Sequence, residues 1–124
     1  PKWIKYNEDI KQMQKTGKTL TKLEQSDMYD PEIVFMADDV KKYAARAVFE
    51  MDSPKGYGFA TEFSTSDFPC ATRWIMYNGD LQVAAFVLPA TCRPEGFLAA
   101  KKAGTLVMLE PNEEKTFSVL TGKK

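Results

Sequence analysis

An all-β fold, an antiparallel β-sandwich carrying a peripheral N-terminal helix or loop, is what this sequence predicts, and three observations carry the prediction. Apolar and polar residues alternate with period two through much of residues 32–124, the mark of strands with one buried face. Aromatic residues make up 12% of the chain, eight of them Phe and five Tyr, and aromatic side chains favour the pleated surface of a sheet over a helix. Turn-forming clusters of Gly, Pro, Asn and Asp separate the alternating runs at short intervals, the spacing of a sandwich of short strands.

The elements follow in order. Residues 1–31 form an N-terminal peripheral segment, rich in lysine and poor in alternation. Within it Asn7-Glu8-Asp9-Ile10 starts a short helix, with Asn7 as N-cap and Gly17 as its stop. Ile33-Val34-Phe35-Met36 opens the sandwich domain, 32–124. Tyr43, Ala45, Ala47, Phe49 and Met51 then alternate with Lys42, Arg46 and Glu50, and Asp52-Ser53-Pro54-Lys55-Gly56 closes that strand in a turn. Tyr57, Phe59, Thr61 and Phe63 alternate next. Thr72, Trp74 and Met76 oppose Arg73, Ile75 and Tyr77 on a further strand. Asn78-Gly79 reads as a hairpin turn, because both residues tolerate positive φ. Residues 81–88 are apolar on both faces and are expected as a central strand. A loop over 89–96 leads to a helical turn from Phe97 that stops at Gly104. Residues 105–109 and 116–120, joined at Pro111-Asn112, complete seven strands.

Composition excludes several classes of function. Seventeen Lys and Arg balance 17 Asp and Glu, so no overall field draws in nucleic acid or an anionic membrane. No run is long and apolar enough to span a bilayer, and the N-terminus lacks the layout of a secretion signal; a cytoplasmic setting is expected. Cys70 and Cys92 fit either one disulfide or two free thiols, and the reduced state follows from that setting. With no His anywhere, neither a Ser-His-Asp nor a Cys-His arrangement can be built, and the usual zinc ligand set is missing. No metal and no cofactor are expected.

Residues 73–122 carry a resemblance. Trp74, Asn78-Gly79-Asp80 before an apolar strand, Pro89-Ala90-Thr91-Cys92, Glu95-Gly96, Gly104-Thr105-Leu106 and Leu109-Glu110-Pro111 leading to Phe117 and Gly122 resemble, in that order, the C-terminal part of the aldose 1-epimerase (galactose mutarotase-like) superfamily. Gly56-Tyr57-Gly58-Phe59 and Phe68-Pro69 extend the likeness upstream. The resemblance implies a partial supersandwich with a concave sugar-holding face. It further implies anomer interconversion, in which a glutamate takes the proton of the anomeric hydroxyl and a histidine protonates the ring oxygen.

This chain departs from that pattern where the chemistry lies. Leu88, in Phe86-Val87-Leu88-Pro89, stands at the base position of a Glu-Pro ending. Ile75 and Phe97 occupy positions often Lys and Arg in the related proteins, and no acid histidine exists. A positioned acid or base contributes roughly two to four orders of magnitude in rate. The expectation is therefore a carbohydrate-binding domain with no catalytic residue of its own. Its substrate-binding candidates are Trp74, Arg73, Tyr77, Arg93 and Glu95. Trp74 is a stacking platform or a core residue; Arg73 and Tyr77 are hydrogen-bonders or a solvated strand face; Arg93 and Glu95 are binding residues or a surface pair. Partners expected are a sugar or sugar derivative and either a second copy or a complementary chain that covers open sheet edges; nucleic acid and membrane are not. Two alternatives stand beside this reading: an epimerase whose catalytic groups lie on another segment or chain, and a tautomerase using the secondary amine of Pro1.

Overall fold

The structure, a computed structural model, describes residues 2–16, 22–23, 29–30, 32–80 and 82–124. Pro1, Gly17 and Leu81, which the sequence reading uses, lie outside these residues. Two helices and six strands follow one another: α1 (Lys2–Thr16), β1 (Ile33–Ala37), β2 (Arg46–Asp52), β3 (Gly58–Ser64), β4 (Cys70–Asn78), β5 (Gln82–Ala90), α2 (Phe97–Ala103) and β6 (Val119–Lys123), with a 3-10 turn at Val40–Lys42. The strands form two antiparallel three-stranded sheets, ordered β1-β4-β5 and β2-β3-β6. The all-β, sandwich-like class read from period-two alternation is thus the observed one.

The described chain divides into two compact units. The smaller comprises Pro1–Ile33 with Ile75–Ala84, the larger Val34–Trp74 with Ala85–Lys124. In the smaller unit Tyr29, Ile33 and Ile75 are buried, Ile75 completely. Helix α1 takes in Asn7, so the N-cap expected there is an interior residue.

The larger unit contains the whole β2-β3-β6 sheet. Its middle strand alternates in its second half, with Thr61 and Phe63 buried and Ala60, Glu62 and Ser64 half-buried, while Phe59, on the same face near the strand's start, is 42% exposed. Ala47 faces Phe63 and Phe49 faces Thr61 across β2–β3, while Val119 faces Phe63 and Thr121 faces Thr61 across β3–β6. Same-face cross-strand neighbours of this kind are the unit of sheet stabilisation. Phe63 meets Phe68 edge-on at 5.9 Å between ring centroids, and Phe68 meets Phe117 at 5.3 Å, within the spacing at which aromatic pairs attract. Thr65, only 1% exposed, donates its Oγ1 hydrogen to the Ala44 carbonyl at 2.6 Å. On the opposite face Arg46 pairs with Glu62, and Lys124 bridges Glu50 and Asp52 at 3.0 and 3.4 Å. Gly58 lets β2 and β6 close in from both sides: a Cβ there would stand 2.5 Å from Asp52 Oδ1 and 3.3 Å from Lys124 Cβ.

Four expectations need correcting. β4, not β5, is the middle strand of its sheet; Pro89 on β5 fits a flanking strand, because it cannot donate to a ladder. Burial on both sides of β4 follows, with Thr72 on one face and Ile75 on the other both buried. The Asn78-Gly79 hairpin forms, yet neither residue takes a left-handed φ. Instead the Asn78 side-chain oxygen accepts the Asp80 N–H at 2.9 Å, an Asx turn. Residues 105–109 are not a strand, so the described strands number six rather than seven. β6 pairs with β3 instead of closing a hairpin with that segment. The Pro111-Asn112 turn is real: Glu113 N–H reaches the Glu110 carbonyl at 2.9 Å, and Asn112 supplies φ 66° at the third position.

Candidate functional site

The larger unit holds a cavity of about 320 Å³ lined by Asp38, Asp39, Pro69, Cys70, Arg93, Glu95, Ala99, Ala100, Ala103 and Thr105. Its walls come from three places far apart in sequence. Asp38 and Asp39 follow β1. Asp39 takes a left-handed φ of 51°, a conformation Asp tolerates better than most residues. It leads into the 3-10 turn, whose Val40 N–H donates to the Pro69 carbonyl at 2.9 Å. That bond sets both aspartates beside Cys70 at the start of β4.

Arg93 and Glu95 come from the loop between β5 and α2. The apolar floor comes from α2 itself, whose alanines at 99, 100 and 103 share one stretch of its surface. The helix ends in a Schellman motif. Gly104 adopts φ 69° and donates to the Lys101 carbonyl, and Thr105 N–H donates to the Ala100 carbonyl at 3.0 Å. The Gly104 stop read from the sequence is therefore the device that turns Thr105 into the cavity wall.

Electrostatically the site is organised around one fork. Arg93 donates through Nε to Asp38 Oδ1 at 2.8 Å and through Nη2 to Asp38 Oδ2, the two-point geometry that guanidinium and carboxylate favour. These hydrogen bonds hold the Asp38 carboxyl below its ordinary range and hold the Arg93 guanidinium firmly protonated. Asp39 pairs with Lys42 at 2.5 Å. Burial, together with the Asp38 charge, pushes the Cys70 thiol up; its Sγ lies 3.9 Å from Asp38 Oδ1. Such a thiol is a packed, neutral group rather than a nucleophile. Cys70 and Cys92 are both free.

Of the five binding candidates, Arg93 and Glu95 are brought together in this cavity. They do not pair with each other as a surface couple: Asp38 takes the guanidinium, and Glu95 uses its backbone N–H on the Arg93 carbonyl at 2.9 Å. Arg73, Trp74 and Tyr77 lie elsewhere, half-buried along β4. Arg73 places its guanidinium 5.8 Å from the centre of the Phe49 ring, a cation–π contact, so its strand face is packed rather than solvated. Ile75 is core, Leu88 is 45% exposed on β5, and Phe97 is 64% exposed at the start of α2. None of these three lines the cavity. Asp38 and Asp39 escape the sequence reading. The only signal for them is their position directly after an apolar run, where loops carry functional side chains.

Two antiparallel three-stranded sheets define a β-sandwich-like domain, with a small cleft of mixed polarity in its larger unit. The chain belongs to the family described as Domain of unknown function (DUF4432), whose family model matches residues 3–121. No curated protein and no solved structure gives a significant match. Among the described residues, no helix is long and apolar enough to cross a membrane.

Proposed function

We propose that this chain is a carbohydrate-binding domain of mutarotase-like type that performs no epimerisation by itself. The observation that carries the reading is the cavity formed by the Asp38–Arg93 fork, Glu95 and the alanine floor of α2. A pyranose needs both surfaces. Its C–H face suits a flat apolar floor, while its hydroxyls need donors and acceptors whose positions are fixed in advance. The Asp38–Arg93 pair holds such groups rigid, and a two-point pair keeps lone pairs and N–H groups outside its own bonds for a ligand. The cavity lies at the lower end of the size range of small-molecule sites, fitting a single sugar ring.

The absence of catalysis is supported by Leu88 at the expected base position and by a sequence without histidine. The cavity carboxylate best held in place, Asp38, is tied to a guanidinium and kept ionised, which makes it a poor proton acceptor. Association belongs to the same reading. Val48 and Leu120 are 59% and 66% exposed on the β2-β3-β6 sheet, whose flanking strands are β2 and β6, and exposed apolar edges of this kind call for a covering partner. The two free thiols fit a reducing, cytoplasmic setting.

Calorimetry of the purified chain against neutral, amino and acidic sugars, run beside polarimetric mutarotation, tests this. Heat with at least one sugar and a mutarotation rate equal to buffer are expected. No heat from any sugar removes the binding half; accelerated mutarotation removes the inert half.

A further inference from the structure

The charges lining the cavity do not cancel. Asp38 is matched by Arg93 and Asp39 by Lys42, and the Cys70 thiol is held in its neutral form by burial. Among the described residues the Glu95 carboxylate forms no ion pair, and its charge acts only through space on Arg93, which Asp38 already holds. One net negative charge therefore remains in a cleft open to a ligand. Arg93, the one cation lining it among the described residues, is already engaged through two nitrogens. An anionic ligand would have to take Arg93 from Asp38, which would leave two unmatched carboxylates beside it. Like charges so placed oppose binding.

Resting on the sugar-binding reading above, we infer that the cavity selects a sugar bearing a protonated amine, a hexosamine in its ammonium form, over neutral aldoses and over uronates or sugar phosphates, with Glu95 as the counter-ion. The ring lies on the alanines of α2, its hydroxyls meet the Asp38–Arg93 fork, and its ammonium group faces Glu95. Because the site is open to water, the preference over a neutral ring is modest. An exposed ion pair supports about a two- to fivefold difference, and that difference shrinks as salt screens it.

Titrations of the purified chain, followed by backbone amide NMR, with glucosamine, glucose, N-acetylglucosamine, glucuronate and glucose 6-phosphate test the assignment. Glucosamine is expected to bind about two- to fivefold tighter than glucose at low salt. N-acetylglucosamine, which lacks the charge, shows no such gain, and the two anionic sugars bind weakest. Glu95→Gln removes the preference for glucosamine, and so does high salt acting on the unaltered chain, a control that needs no variant. Equal binding of glucosamine and glucose, a preference that survives Glu95→Gln and high salt, or tighter binding of either anion overturns the selectivity while leaving sugar binding in place. Silence from all five sugars removes the sugar-binding reading and this inference together.

Discussion

The aromatic cluster around Phe63 and the cleft around Arg93 belong to the same compact unit, yet they are assembled by opposite means. The cluster is built from strand faces. Phe63 sits in the middle of β3, with Ala47 and Val119 beside it on the neighbouring strands and Phe68 stacked edge-on. Its strand partners are set by alternation and register, and Phe68 joins them from the connection between β3 and β4. The cleft is built from the ends of regular elements and the loops between them: Asp38 after β1, Cys70 at the first residue of β4, Arg93 between β5 and α2, and Thr105 after a glycine stop. The difference separates two kinds of cost. Altering the cluster should change stability first and function only as a consequence; altering the cleft should change binding first and stability only slightly.

The largest expected effect breaks the cluster. Phe63→Ala removes a side chain 2% exposed and should lower unfolding free energy by about 3–5 kcal/mol, read as a collapsed urea midpoint with binding lost in step. A smaller effect comes from Thr65→Val, which strands the Ala44 carbonyl that Thr65 now satisfies at 2.6 Å. It should cost about 1–3 kcal/mol, and an unchanged urea midpoint would show that this carbonyl finds water instead.

Gly104→Ala lies between the two regions in kind. A Cβ there meets nothing within 4 Å, so the penalty is purely the left-handed backbone, about 1 kcal/mol. Since the same turn places Thr105, sugar affinity should fall along with the melting temperature.

Arg93→Lys belongs wholly to the cleft. The urea midpoint should move only slightly while sugar binding drops, because an ammonium cannot reproduce the two-point fork; a strongly lowered midpoint with normal binding would make Arg93 a structural residue. Acid supplies the smallest effect. The folded Asp38 carboxyl lies below its ordinary value of 3.8, so its contribution to stability is fully present above that value and disappears as pH falls through the folded one. The difference in urea midpoint between the native chain and Asp38→Asn should therefore narrow between pH 5 and pH 2.

The same contrast explains how much of the molecule is legible in its sequence. β2, β3 and β4, the turn at Asn78, helix α2 and its Gly104 stop can all be read there, because each is dictated within about ten residues by alternation, capping or turn chemistry. β5 reads as a middle strand because apolarity on both faces does not by itself fix a strand's place in its sheet. Residues 105–109 alternate adequately but find no strand partner, and sequence pattern cannot supply one. Within the cleft, Arg93 and Glu95 are readable as loop residues after an apolar run. Asp38 is not, since its meeting with Arg93 spans 55 residues of sequence and nothing local encodes it. Arg73 is visible as a cation on a strand; its place against Phe49 depends on a contact between strands of different sheets, which alternation does not specify.

The most direct measurement is an amide NMR titration of the purified chain with an aldohexose in large excess. If a sugar occupies the cleft, shifts should gather at Asp39, Arg93, Glu95, Ala100 and Thr105 while the amides of Phe63 and Phe68 stay still. A spectrum that never moves, or one that moves only along β4 at Arg73 and Trp74, would contradict it.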